Sequence, residues 1–114
     1  MRLPKRLPYH IAMECILTGD MFGAERAAQL GLINRLTDAG GALDAALQLA
    51  QAVAANGPLS LIASKQVAAE SGEWSRAQMW DKQAAITTPV FESQDAREGA
   101  AAFAEKRKPA WKGQ

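Results

Sequence analysis

Apolar positions along this chain recur at helical spacing almost from end to end. After Pro8, the pairs Ile11/Cys15, Ala12/Ile16 and Met13/Leu17 are four apart. A helix is therefore predicted over 8–17, with the proline in its first turn and Gly19 as its stop. A second, short helix is predicted over 24–30, closed by Gly31. Over 42–55, Leu43, Ala46, Leu47, Ala50, Val53 and Ala54 form one face of an amphipathic helix. Asn56-Gly57-Pro58 ends that helix and starts a fourth, which runs to about Gly72 with Leu59, Ile62 and Val67 on its expected buried side. Ser75 followed by Gln78 has capping-box spacing and predicts that a fifth helix begins there, with Pro89 expected to kink or end it. Ser93 is the expected N-cap of a sixth helix. One short strand is predicted, at Leu32-Ile33-Asn34-Arg35-Leu36. The fold class expected is mainly α, with five or six helices.

Composition adds few constraints. The 114 residues leave room for one domain, and 48% hydrophobic with 22% charged residues is ordinary for a soluble globular chain. A net charge of +1 argues against a general polyanion binder, so no nucleic acid partner is expected. The apolar runs are interrupted well short of a membrane span, and the first residues show no signal-peptide pattern. Cys15 stands alone, which rules out an intrachain disulfide and makes the reducing cytoplasm the expected location.

A search for catalytic chemistry finds no complete active site. Asp38-Ala39-Gly40-Gly41-Ala42 lacks the spacing of a phosphate or dinucleotide loop and reads as a turn. One His and one Cys cannot supply a clustered metal site, so no metal is expected. His10 reads as structural or surface, and Cys15 as a small buried hydrophobe. Glu14, Glu25, Glu70, Glu73, Glu92, Glu98 and Glu105 are scattered, as solvated or ion-paired carboxylates would be. Trp74, Met79 and Trp80 read as core packing. The closing segment differs. Its helix presents Phe103 and then the cations Lys106, Arg107 and Lys108, before Pro109 and Gly113 make further helix unfavourable. Such an end suits an anion beside a flat ring. It equally suits a solvated tail.

Several segments, in order, resemble the crotonase superfamily, the enoyl-CoA hydratase/isomerase enzymes. They are Ala12-Met13-Glu14-Cys15-Ile16-Leu17-Thr18-Gly19-Asp20, then Ala24-Glu25-Arg26-Ala27 running on to Gly31-Leu32-Ile33-Asn34. Next come Asn56-Gly57-Pro58-Leu59 with Ser64-Lys65, and finally Asp95-Ala96-Arg97-Glu98-Gly99, Ala102-Phe103 and Glu105-Lys106-Arg107. The resemblance covers nearly the whole chain.

It implies that residues 1–114 are the C-terminal helical oligomerisation region of the crotonase (ClpP/crotonase-like) fold, with the N-terminal ββα spiral core absent. In that family an oxyanion hole holds the enolate of an acyl-CoA thioester, and glutamates move the protons. Both belong to the missing core, so no catalytic residue is assigned and the chain alone is expected to be inactive. Phe103 and Lys106 match the family's Phe-x-x-Lys unit, which approaches the adenine end of CoA; Arg107 is open as a structural ion-pair partner. The partners implied are an acyl-CoA thioester and copies of the chain in a trimer or hexamer. No cofactor is expected beyond the coenzyme A of the substrate. Hydratase is the default reaction. The alternative is a free-standing, non-catalytic helical module that associates with full-length crotonase subunits.

Overall fold

A computed structural model describes residues 2–114, which divide after Gln48 into two compact units. In the first, a 3₁₀ turn (Leu3–Lys5) packs on helix α1 (Tyr9–Thr18), and α2 (Ala24–Gln29) follows. Pro8 is the N-cap of α1. Its fixed φ suits the entry, and the donor it lacks would find no partner at that position. Gly19 ends the helix in the left-handed region at φ 74°, donating its N–H to Cys15 O. At the end of α2, Gly31 takes φ 71° while its N–H meets Ala28 O and that of Leu32 meets Ala27 O. This is a Schellman termination with glycine at its left-handed position. Leu7, Ala12 and Ala27 are buried in this unit.

The division falls within α3 (Ala42–Ala54), and the second unit comprises its last turns, α4 (Pro58–Glu70), a 3₁₀ turn (Ser71–Glu73), α5 (Met79–Glu92) and α6 (Gln94–Ala104). Helix α5 packs on both α4 and α6. Ala63 and Ala102 are buried, together with the polar Ser93 and Asp95. Asn56 closes α3 by donating its side-chain N–H to Ala52 O (2.8 Å) and Val53 O (3.2 Å).

Among the described residues six α-helices therefore form where helical periodicity predicts them, and four expectations need correction. The strand at 32–36 does not form, and no strand occurs among the described residues. An isolated strand has no neighbour for its backbone groups, and the Leu32 N–H is already committed to the α2 terminus. Ser75 and Gln78 make no capping box: the Ser75 carbonyl accepts from Gln78 and Met79 in a preceding turn, and α5 starts four residues late. Pro89 does not end α5, which continues to Glu92. The proline forfeits the bond to Ala85 O, but packing on two neighbouring helices holds the turn.

The fourth correction concerns burial. Trp80 and Ile62 are each 66% exposed, Met79 is at the surface, and Cys15 is only half-buried. The apolar face of α3 is open along Leu43, Leu47 and Val53. The chain has 9229 Å² of accessible surface. A folded monomer of 12.2 kDa has about 6,000 Å², and two separate globules of half that mass about 7,300 Å². These helices carry apolar faces that their own units leave uncovered.

Candidate functional site at the end of helix α6

Helix α6 begins with a built cap. Ser93 Oγ accepts the Ala96 N–H at 3.0 Å, as its position predicts. Two turns of this helix then hold the residues after it. Asp95, 5% exposed, accepts from the backbone N–H groups of Lys112 and Gly113, both at 2.8 Å, and its own N–H donates to Gln114 O. One turn along, Glu98 faces Arg107 as a two-pronged ion pair, Nη1 to Oε1 at 2.6 Å and Nη2 to Oε2 at 3.0 Å. Glu98 Oε1 also accepts the Ala110 N–H at 2.8 Å, while Arg107 Nε donates to Glu105 at 2.6 Å. Trp111 lies against Gly57 and Gly99, and its indole N–H donates to Ala55 O at 2.9 Å. Residues 105–114 are thus a strap folded back on α6, not a solvated tail.

The strap fixes the end of α6. Lys106 N–H donates to Phe103 O and Arg107 N–H to Ala102 O, the same Schellman pattern that ends α2. The left-handed position here is occupied by Lys106 at φ 55°, the one non-glycine residue with positive φ among those described. That conformation costs a side-chain-bearing residue about 1–2 kcal/mol. Phe103, 87% exposed, stands one turn before it, and Lys106 is exposed as well. The two residues predicted from sequence are therefore adjoining, linked by a backbone hydrogen bond and open to solvent. Arg107 is drawn into the ion pairs and Lys108 is exposed.

Asp95, Glu98 and Trp111 are the functional supports that sequence reasoning missed. The signal lay in two carboxylates three residues apart on α6, followed by a basic segment ending in one aromatic. A cleft of about 550 Å³ between α6 and the strap is lined by Gln94, Arg97, Glu98, Ala110 and Lys112, among others. Neither Phe103 nor Lys106 lines it. Cys15 lines a smaller hollow of about 160 Å³ in the first unit, and His10 is exposed in the first turn of α1. Among the described residues, no cluster of three His, Cys, Asp or Glu could hold a metal, and no helix is long and apolar enough to cross a membrane.

The fork from Arg107 pulls the Glu98 carboxyl down from 4.5 to about 2, with the Ala110 N–H adding to it. A carboxyl lowered by folding stabilises the fold fully above its unfolded value and stops doing so as pH falls through its folded one. The strap is expected to stay docked down to about pH 4.5 and to loosen between about 4.5 and about 2. Trp111 emission in a Trp74→Phe, Trp80→Phe background reads this directly. A red shift already complete at pH 6 would contradict it.

The sequence profile of the enoyl-CoA hydratase/isomerase family matches residues 1–114. A carnitinyl-CoA dehydratase from Proteus mirabilis is 38% identical over 99% of this chain, and its counterpart from Escherichia coli K12 is equally similar. Among solved structures, an enoyl-CoA hydratase from Mycobacterium tuberculosis H37Rv is 55% identical with a TM-score of 0.96. One from Mycobacterium marinum is 53% identical with a TM-score of 0.95. In all four the match covers 99% of this chain and 45% of the relative, so the chain spans about half the length of the proteins it matches. Residues and fold together place the chain in the enoyl-CoA hydratase/isomerase family, the crotonase superfamily.

Proposed function

We propose that these 114 residues are the C-terminal helical region of an acyl-CoA-processing enzyme, by default an enoyl-CoA hydratase, working in the cytoplasm. Their tasks are assembly into a trimer or hexamer and contact with the CoA head of an acyl-CoA thioester. The ββα core, with its oxyanion hole and acid/base glutamates, would come from outside this sequence, and the chain alone would not turn substrate over. No cofactor is required beyond the CoA the substrate carries.

One observation carries the CoA reading: an exposed aromatic ring and an exposed ammonium lie together at the hydrogen-bonded end of α6. Gly31 fills the left-handed position of α2, whereas α6 puts Lys106 there despite the cost in backbone energy. Strain retained at an exposed cation points to use of that cation. The Phe103 ring offers a stacking face for adenine, and the Lys106 ammonium a partner for phosphate. The open apolar faces of α3, α4 and α5 support the assembly role.

The test is Lys106→Ala in the complete, assembled enzyme. Loss of one charge-assisted hydrogen bond at an exposed site should weaken CoA binding about tenfold. Unchanged CoA affinity would refute the assignment.

A further inference from the structure

We propose that Glu98 is a positioning residue for CoA recognition: through Arg107 it holds the left-handed turn that presents Lys106 beside Phe103. The inference rests on the reading of Phe103 and Lys106 as CoA contacts and adds the device that sets their geometry.

Glu98 lies in the middle of α6, and among the described residues the hydrogen bonds of its carboxylate all go to the strap. Both its oxygens are used, Oε1 by Arg107 and the Ala110 N–H, Oε2 by Arg107 alone. Arg107 follows Lys106 directly. Its backbone N–H closes the Schellman turn at Ala102 O, and its guanidinium is tied to Glu98 and Glu105. Residue 106 is therefore flanked by a helix end on one side and a doubly anchored arginine on the other. A non-glycine residue keeps a left-handed conformation only where its neighbours over-determine it. Here the neighbour that does so is fixed by Glu98. Asp95 and Trp111 hold the far end of the strap, so that it cannot swing away with Arg107 attached. A flexible lysine would lose rotational and backbone freedom on meeting a phosphate; a lysine already held in place loses less.

The experiment compares Glu98→Gln, Arg107→Lys and Lys106→Ala, singly and as the double variant Glu98→Gln/Lys106→Ala, in the complete enzyme. Glutamine keeps an acceptor for Ala110 but loses the charge, and lysine keeps the charge but cannot form the two-pronged pair. Two quantities are read: hydrogen exchange over 105–113, and KM against kcat with crotonyl-CoA. The expected result is loss of protection in the strap for Glu98→Gln and Arg107→Lys, and a KM raised about five- to tenfold for each of the three single variants with kcat within twofold of the parent. The double variant should be no worse than Lys106→Ala, because Glu98 acts through Lys106. If Lys106→Ala raises KM but Glu98→Gln and Arg107→Lys do not, the positioning role is overturned and the CoA reading stands. Retained protection in Glu98→Gln would overturn the positioning role equally. An unchanged KM in Lys106→Ala would overturn the CoA reading, and the positioning role with it.

Discussion

Trp111→Ala is expected to release the strap and to destabilise the second unit by about 3 kcal/mol, the low end for removing a large aromatic because this ring is only partly buried. Three contacts go at once. The ring leaves Gly57 and Gly99, and Ala55 O loses its donor at the end of α3. Both glycines have left room for the indole. A Cβ on Gly99 would come within 3.1 Å of it, so Gly99→Ala should displace the ring from the other side, whereas a Cβ on Gly57 would sit at 3.6 Å, in ordinary contact. Trp111→Phe separates the terms, retaining most of the ring and losing the N–H, for a cost of about 1 kcal/mol. Trypsin reads the outcome in the complete enzyme. The bonds after Lys106 and Arg107 should resist cleavage in the parent and be cut in Trp111→Ala. Equal resistance in both would show that the strap is held without Trp111.

Purified alone, the chain is expected to self-associate and to show no hydration of crotonyl-CoA. The argument is one of area. Its 9229 Å² exceeds even the roughly 7,300 Å² of two separate globules by about 1,900 Å², the scale of a standard interface. The uncovered surface includes Leu43, Leu47, Val53, Ile62, Trp80 and Phe91, each at least 47% exposed. Sedimentation across a hundredfold concentration range should show assemblies, the trimer being the family-like outcome, and a hydrophobic dye should bind. A monomer that binds no dye would contradict the assembly role, and measurable turnover would contradict the assignment of catalysis to a separate core. Incorporation into full-length trimers without any change in their activity would favour a non-catalytic partner module instead.

What could be read from the residues, and what could not, divides by the range of the interaction. The α6 cap at Ser93, the glycine stops at Gly19 and Gly31, and the Pro58 start depend on residues a few positions apart, and each formed as spacing predicts. The strand at 32–36 failed because no second strand is there to pair with it and the Leu32 N–H is taken by the α2 terminus, and α5 starts late because the Ser75 carbonyl is used in a preceding turn. Burial was misjudged on α4 and around Trp80 for a different reason. Apolar periodicity shows which face wants cover, and here the unit itself leaves it uncovered. At the site, Phe103 and Lys106 were visible as a spaced pair. Their supports were not, since Asp95 and Trp111 meet their partners across 17 residues or more.

The most direct test of the central claim is photolabelling of the complete enzyme with a CoA analogue carrying 8-azidoadenine, followed by tryptic mapping. Contact of adenine with Phe103 predicts label in the peptide from Glu98 to Lys106, reduced by competing acetyl-CoA and lost in Phe103→Ala. Label confined to other peptides, with this one unmodified, would contradict the account.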